Sequence, residues 1–438
     1  MERLPVTSWH VRARMIVGAA TFFDAFDVQT ISVVLPVLVG LWRLTPGEAG
    51  LLISTGFLGQ LVGAFLFGWA GEKFGRLTAM TYSVAVLALM SLACAAAWNY
   101  PSLFVFRSIQ GIAIGGEVPV AATYISELSP AHRRGRFFLL YEMLFSIGLT
   151  AAGLVGLWAV PHIGWQAMFL IGALPAFLAV VLRRLLPESP RWLVSQGRLE
   201  EAARVVGQME EYAVRRGARL APVKLRAAVA QPGPTRWQEL FSRPFRRRTF
   251  TVWAVWFSCY FVAYGLTAWM PTLYRTIFKL DLVRALRFGL ATNLAGLAGD
   301  LLAALAIDRV GRRAWFALAF ALGSLPLGTL WLLGAHSAQI VMLCASLSYV
   351  FVASNSLACY LYTPEIYPTR MRALGTSVAT AWLRAGSALG PTLVGFMLTR
   401  FALSSVFLLF ALVSLVGAAV ASLFAMETRE RVLEEISP

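Results

Sequence analysis

Charged side chains are scarce in this chain. Asp, Glu, Lys and Arg make up 14% of its 438 residues, whereas 58% are hydrophobic. A soluble protein of this length would carry far more charge and would divide into several domains. The apolar residues instead form runs of about 20, the length that crosses a hydrocarbon core of ~30 Å. The sequence therefore predicts a polytopic helical membrane protein, with no open sheet or lipid-exposed loop at membrane depth.

Residues that build metal or redox sites are equally few. All four cysteines lie inside apolar runs without the spacing of metal ligands, so we interpret them as packing residues. The four histidines fall at helix ends or in loops, and no phosphate-binding glycine loop of the ATPase type is present. We therefore expect that the protein is not an enzyme and that it holds no cofactor and no metal. The energy for its activity would come from an ion gradient or from the substrate gradient alone.

Acidic residues are in the minority, since 22 Asp and Glu face 38 Lys and Arg for a net charge of +16. The basic residues cluster in short turns between apolar runs and in one central loop. That is the positive-inside pattern of membrane proteins, so we expect no nucleic-acid partner. The pattern predicts an inner-membrane protein with both termini in the cytoplasm, and the basic loop could also touch anionic lipid. The turn that carries Lys279, Arg284 and Arg287 breaks this pattern, because it would lie outside.

Twelve apolar segments are expected, with boundaries good to a few residues. They are Met15–Trp42, Gly50–Gly71, Leu77–Ala97, Pro101–Leu128, Phe137–Val160, Trp165–Leu186, Thr249–Tyr274, Leu286–Ile307, Ala314–Leu333, Gln339–Tyr362, Met371–Leu398 and Leu403–Met426. The polar stretch at 187–248 separates an N-terminal bundle at 1–186 from a C-terminal bundle at 249–438. We therefore predict an all-α membrane protein of two pseudo-symmetric six-helix bundles joined by a cytoplasmic linker.

Two short motifs occur twice. The turn Gly71-Glu72-Lys73-Phe74-Gly75-Arg76, between the second and third segments, is matched by Asp308–Arg313 between the eighth and ninth. Glu127, at the end of the fourth segment, lies 55 residues after Glu72, and Glu365, just after the tenth segment, lies 57 residues after Asp308. Two motifs at nearly one spacing indicate a duplicated six-helix unit. Such a duplication is typical of transporters, whose substrate site lies at mid-membrane between the halves.

At these residues the chain resembles the major facilitator superfamily, over nearly its whole length. The run Pro187-Glu188-Ser189-Pro190-Arg191-Trp192-Leu193 is similar to the sugar-porter and metabolite:proton symporter signature. Phe23–Asp27, Gly116–Val120 and Tyr362–Thr369 resemble bacterial niacin (nicotinate) permeases, relatives of the synaptic vesicle glycoprotein 2 family. Aromatic acid:proton symporters share an acid-rich first helix but usually carry Gly-x-Pro-Asn where this chain has Glu117-Val118-Pro119-Val120.

The first predicted helix carries two carboxylates, Asp24 and Asp27, whose i,i+3 spacing places both on one face. A carboxylate in hydrocarbon costs several kcal/mol unless it faces a cavity or a partner. At ~1.5 Å per residue, Asp27, Arg107 and Arg384 lie at similar depth. The resemblance to proton-coupled sugar porters implies that Asp27 and Arg107 form the coupling pair. We expect Asp24 and Asp27 to take the proton and so release Arg107, with a static ion pair as the alternative.

Candidate substrate-binding residues lie in both halves. Arg384 is the one basic residue deep in the second half, where its guanidinium would bind the substrate's carboxylate. The alternative is that Arg384 neutralises a protein carboxylate such as Asp300. Glu117 and Glu142 lie nearer the cytoplasmic ends of their helices, where they line the cavity, carry a proton or hydrogen-bond neighbouring helices.

Aromatic residues on the seventh segment share one face that is suited to stacking on a flat ring: Trp253, Trp256, Tyr260 and Tyr264. The alternative is an interfacial belt or lipid-facing packing. Asn355 on the tenth segment is a further substrate-binding candidate.

Charged residues at the cytoplasmic helix ends form a third group, as the resemblance implies. We expect an ion-pair network that closes an inner gate, and solvated topology determinants are the alternative. The members are Glu72, Arg76, Glu127, Arg136, Glu188, Arg191, Asp308, Arg309, Glu365 and Arg372.

These features predict a monomeric, proton-coupled importer of a small organic acid by alternating access. Nicotinate or a related aromatic carboxylate is the first substrate we expect, and a benzoate-type acid or a sugar-like metabolite is the alternative. A ligand-binding membrane protein without transport is the alternative from another class. The paired motifs in both halves count against it.

Overall fold

The computed structural model describes residues 7–128, 134–217, 220, 237–368 and 371–429. The side chains at 118, 122, 126, 134–143, 180 and 373 fall outside the description. The described residues are helical nearly throughout. The helices are α1 Ser8–Trp42, α2 Pro46–Phe74, α3 Arg76–Ala95, α4 Tyr100–Leu128, α5 Arg134–His162, α6 Gln166–Gly172, α7 Pro175–Leu185, α8 Pro190–Ser195, α9 Leu199–Arg215, α10 Arg243–Thr276, α11 Leu282–Val310, α12 Arg312–Leu333, α13 Ala338–Glu365, α14 Arg372–Met397 and α15 Leu403–Phe424, with a 3₁₀ helix at Trp237–Phe241.

Eleven helical segments within the described ranges are long and apolar enough to cross a membrane, with α6 and α7 together forming one of them. The 26-residue α14 completes the set, although Arg384 and several small polar residues make it less apolar. The sixth predicted segment is broken where the sequence suggested one helix. Pro175 starts α7, and because its ring nitrogen carries no hydrogen it cannot continue the bonding ladder of α6.

The chain divides into two compact units. The first comprises Met1–Val28, Gly59–Ala152 and Ile163–Ala230. Its core forms where α1, α3, α4 and α7 present apolar faces to one another, with Val17, Met80, Val84, Tyr124 and Leu182 fully or nearly fully buried. Within a bilayer such side chains stabilise the unit through close van der Waals packing between helices, because lipid tails are as apolar as the side chains themselves.

The second unit comprises Gln29–Leu58, Gly153–His162 and Gln231–Pro438. It therefore combines one end each of α1, α2 and α5 with all of α10–α15. Its core includes Trp256, Phe316, Phe320, Tyr362 and Tyr367. Helix α2 crosses α14 at very short range, because Gly50 and Gly395 meet without side chains between them.

The short turn before α11 accounts for basic residues that break the positive-inside pattern. Asp281 caps α11, since its Oδ1 accepts the backbone N–H of Arg284 at 2.9 Å. This bond holds the pKa of the Asp281 carboxyl below its usual value. Asp281 Oδ2 also lies 3.9 Å from the Arg284 guanidinium, so the turn carries its own counter-charge.

Candidate functional site

Asp27 of α1 and Arg107 of α4 form a buried ion pair in the first unit. Arg107 Nη1 donates to Asp27 Oδ2 at 2.7 Å, and the two residues are 3% and 0% exposed. Gln110 donates from Nε2 to Asp27 Oδ1 at 2.7 Å and accepts from Arg107 Nη1 at 2.8 Å. The same amide nitrogen donates to Ser91 of α3 at 2.7 Å. Both carboxylate oxygens therefore have a donor, which is what makes a buried charge pair tolerable.

A second acidic group lies on the same two helices. Glu117 of α4 accepts the hydroxyl of Thr21 at 3.3 Å, and its carboxyl group interacts with that of Asp24. Asp24 and Glu117 are both 0% exposed. Among the described buried residues of the first unit, these two and Asp27 are the Asp and Glu side chains, and Arg107 is the one buried Lys or Arg. Three buried carboxyl groups thus lie in a unit whose described residues include one buried guanidinium.

Three stacked rings run along α10 in the second unit. Trp256 and Tyr260 stack with centroids 5.7 Å apart, and Tyr260 and Tyr264 stack at 6.0 Å. Phe57 of α2 lies 4.7 Å from Tyr264 and Tyr360 of α13 lies 4.7 Å from Trp256. We call Trp256, Tyr260 and Tyr264 the aromatic ladder.

Of the other predicted substrate-binding residues of the second unit, Arg384 and Asn355 are buried, whereas Trp253 contacts a separate set of rings. Arg384 of α14 is 7% exposed, and its charge acts on the Tyr264 phenol at the end of the aromatic ladder. Asn355 of α13 is fully buried. Trp253 lies apart from the ladder, because it stacks on Trp382 at 5.2 Å and contacts Phe250 at 5.5 Å.

Two charged end networks repeat between the units. In the first, Arg76 approaches Glu127 at 3.4 Å and Glu188 accepts the backbone N–H of Leu77 at 3.1 Å. In the second, Arg312 binds Glu365 at 3.1 Å, and Glu427 accepts the backbone N–H of Arg312 at 2.9 Å. Glu188 and Glu427 therefore cap α3 and α12, the helices that follow the two duplicated turns.

Each of the two caps depends on its own glycine, which directly precedes the capped helix. Gly75 has φ 110° and Gly311 has φ 93°, a region that residues with a Cβ rarely adopt. A Cβ at either position would also collide with the capping Glu188 or Glu427.

A family model described as sugar (and other) transporter matches residues 43–438. The chain belongs to this family. It is 36% identical to the niacin transporter NiaP of Acinetobacter baylyi, over 100% of this chain and 98% of that protein. It is 31% identical to the synaptic vesicle 2-related protein of Xenopus laevis, over 100% of this chain and 82% of that protein. Its fold matches the inward-open xylose transporter XylE from E. coli with a TM-score of 0.75, at 20% identity and 98% and 99% coverage.

Membership in this family confirms several expectations from the sequence. The chain is a multi-pass membrane transporter with the twelve-helix major facilitator fold, and it is not an enzyme.

The end networks of this family member differ in detail from the sequence expectation. The guanidinium that binds Asp308 and Glu365 is that of Arg312, which the prediction omitted in favour of Arg309. Arg309 contributes its main-chain carbonyl to Arg429, and Arg372 donates to the carbonyl of Tyr367. Glu72 likewise takes part through its carbonyl, which accepts the Trp192 indole N–H at 2.8 Å. Arg191 belongs to the described residues, whereas the side chains of Arg136 and Glu142 lie outside them.

Sequence reasoning missed three polar residues that the structure joins to the predicted ones. Gln110 stands one turn beyond Arg107, so its i+3 spacing was a usable signal. Glu427 follows Glu365 by 62 residues, as Glu188 follows Glu127 by 61, so the repeat extends to a third pair. Thr428, which donates to Glu365 at 2.6 Å, gave no such signal.

Proposed function

We propose that this transporter imports nicotinate or a closely related aromatic monocarboxylate together with protons across the inner (cytoplasmic) membrane. The observation that carries the proposal is a buried guanidinium, Arg384, within electrostatic range of Tyr264, the last ring of the aromatic ladder. Arg384 would bind the carboxylate through its planar fork of donors, and the flat ring would lie against the tyrosines. The niacin transporter of Acinetobacter baylyi, 36% identical to this chain, supports the same substrate class.

Asp27 and Arg107 form the proposed proton switch. Ionised Asp27 holds Arg107 through a short hydrogen bond. Protonation removes the charge that compensates Arg107, and a buried guanidinium without its anion is costly. The helices would therefore change their arrangement when Asp27 takes a proton, and we propose alternating access by a monomer on this basis.

The Asp24–Glu117 pair is the second proposed proton carrier. Two carboxylates in direct interaction repel unless a proton lies between them. Arg107 is the one buried guanidinium among the described residues of the unit, and its ion pair is with Asp27. We therefore propose that Asp24 and Glu117 hold a shared proton.

Purified protein in proteoliposomes tests the coupling. An inward proton gradient should drive accumulation of labelled nicotinate, and an uncoupler should abolish it. Asp27→Asn should lose accumulation but retain exchange of labelled for unlabelled substrate, because the neutral amide mimics the protonated carboxyl. Glu211→Gln, an exposed acid on α9, is the matched control and should behave as the parent does. Accumulation that survives the uncoupler would reject proton coupling.

Arg384 and the substrate are tested separately. Arg384→Lys keeps the charge but loses the two-pronged geometry, so we expect a KM rise on the order of tenfold for nicotinate. Nicotinamide, which lacks the carboxylate, should compete poorly with nicotinate for the parent protein. Equal competition by nicotinamide, or by benzoate and gallate, would reassign the substrate. Binding without any exchange would favour the non-transporting alternative.

The end networks are proposed to act as the inner gate. Arg76–Glu127 and Arg312–Glu365 hold helix ends of their own units together. Glu365→Gln should slow transport while substrate affinity stays unchanged, because it weakens the ion pair with Arg312 and leaves Arg384 and the ladder rings in place.

A further inference from the structure

An exposed basic and aromatic surface lies at the start of α10. Four arginines occupy six residues, Arg243-Pro-Phe-Arg246-Arg247-Arg248, and Glu239 is the one acidic residue between Trp237 and Thr276. Arg243 and Arg246 are exposed, and within the described residues neither forms an ion pair. Positive charge is therefore concentrated here, and no described residue supplies a counter-charge to those two side chains.

The neighbouring arginines have structural roles. Arg247 donates to the carbonyl of Leu423 at 2.9 Å and lies over the Phe424 ring, and Arg248 donates to the carbonyl of Ile366 at 2.8 Å. These contacts tie the start of α10 to the ends of α15 and α13. Arg243 and Arg246, spaced i,i+3 on one face of the helix, form no such contact with the described residues and so are available to a ligand outside the protein.

Aromatic rings continue from this pair along the surface. Trp237, Phe241 and Phe250 are 62%, 39% and 55% exposed. Their rings contact one another in sequence, at 5.8 Å for Trp237–Phe241 and 6.1 Å for Phe241–Phe250. Phe250 lies one helical turn beyond Arg246 toward the membrane-spanning part of α10. Arginine at the boundary with aromatic rings just inside it is the arrangement that suits a lipid–water interface.

We propose that Arg243, Arg246 and the exposed rings of Trp237, Phe241 and Phe250 bind an anionic phospholipid. The two guanidinium groups hold the headgroup phosphate, and the rings cover the glycerol and upper acyl region. The observation behind this choice of occupant is charge complementarity joined to a continuous apolar surface, which a soluble anion would leave uncovered. This surface lies on the 3₁₀ helix and α10 of the second unit, whereas Arg384 lies on α14. Lipid binding here does not depend on which substrate is transported.

Native mass spectrometry of the full chain in neutral detergent tests the proposal. The parent protein should retain phosphatidylglycerol in preference to phosphatidylcholine. Arg243→Gln/Arg246→Gln should weaken phosphatidylglycerol binding roughly tenfold to thirtyfold. Each basic residue near an anionic lipid surface contributes a factor of roughly three to five to the affinity, and two such factors multiply. The matched control is Arg287→Gln/Arg400→Gln, which also removes two exposed arginines. Arg287 lies near the start of α11, and Arg400 follows the end of α14. The control should keep the preference.

Two further arms separate the possible outcomes. Trp237→Ser/Phe241→Ser should weaken both lipids but leave their ratio unchanged, because it removes apolar contact and no charge. Soluble glycerol phosphate should compete only at far higher concentration than the lipid. An unchanged preference in the Arg243/Arg246 variant, an equal loss in the control, or effective competition by glycerol phosphate would each overturn the proposal. Melting temperatures in lipid-free detergent check that every variant is folded.

Discussion

Asp27 receives hydrogen bonds from two side chains of α4, and this arrangement explains how a charge pair persists inside the first unit. Arg107 supplies the counter-charge and Gln110 supplies the second donor. At ~1.5 Å rise per residue, Asp27 and Arg107 were expected at similar depth. The i+3 spacing places Gln110 on the same helix face as Arg107, but the direction of its amide depends on Ser91 of a third helix, which the spacing does not show.

Removing the amide should expose its contribution. Gln110→Leu deletes the donor to Asp27 Oδ1 and leaves that buried oxygen without it, so we expect the unfolding free energy to fall by about 1–3 kcal/mol. The measurement is thermal unfolding in detergent. Gln208→Leu on the exposed face of α9 is the control and should change the melting temperature little. A melting temperature for Gln110→Leu equal to the control's would mean that the hydrogen bond from the Gln110 amide to Asp27 makes no net contribution to stability.

The Asp24–Glu117 pair leads to a prediction about stoichiometry. Full ionisation of Asp24, Asp27 and Glu117 beside one arginine would leave two uncompensated charges, each costing several kcal/mol. Asp24→Asn/Glu117→Gln should therefore lower the number of protons moved per substrate, measured as the reversal potential of substrate flux in proteoliposomes. The single variant Asp27→Asn separates the two carriers. A reversal potential identical to the parent's would assign the pair a structural role alone.

At the scale of helices, α2 and α14 cross where side chains are smallest. A Cβ on Gly50 would lie 2.8 Å from the Pro391 carbonyl oxygen. Ser54 donates to the carbonyl of Ala388 at 2.6 Å, and Thr392 donates to Ser54 at 2.6 Å. This crossing is held by neutral hydrogen bonds and close packing, whereas the end networks use ion pairs.

The crossing should not tolerate a large side chain. Gly50→Trp would prevent α2 and α14 from meeting, so we expect loss of transport with substrate binding retained. Transport assays and equilibrium binding on the same preparation measure this. Gly40→Trp is the matched control, because a Cβ there meets nothing within 4 Å. Normal transport by Gly50→Trp would show that this contact need not form during the cycle.

The acidic caps of α3 and α12 make a parallel prediction for element stability. Glu427 accepts two backbone N–H groups, from Arg312 and Arg313. Glu427→Ala should lower the unfolding free energy by about 0.5–2 kcal/mol, the usual contribution of a helix cap. Glu188→Ala should cost a similar amount if the two caps are equivalent, and thermal unfolding of both variants compares them. A large effect of one and none of the other would break the equivalence.

For the whole molecule, hydrophobic run length and the duplicated turns were enough to predict the twelve-helix fold. Both signals are local in sequence and need no knowledge of packing. The break at Pro175 escaped because the apolar run continues through it. Trp253 and Tyr264 illustrate the limit for sites. One helical face carries both, yet Trp253 stacks on Trp382 of α14, whereas Tyr264 lies within electrostatic range of Arg384 of the same helix. Which ring meets which neighbour depends on α14, which the spacing on α10 cannot report.

Sidedness is the remaining whole-molecule prediction. The turns at Lys73–Arg76 and Asp308–Arg313 carry the basic residues of the repeat, and the turn at Lys279–Arg287 carries others together with the cap Asp281. Short-loop arginines and lysines set orientation, so the first two turns should be cytoplasmic and the third external. Alkaline phosphatase fused after Leu280 should be active, and the same enzyme fused after Gly311 should be inactive. Because α11 alone separates these points, the opposite result would invert the chain and move the Arg243 surface to the external leaflet.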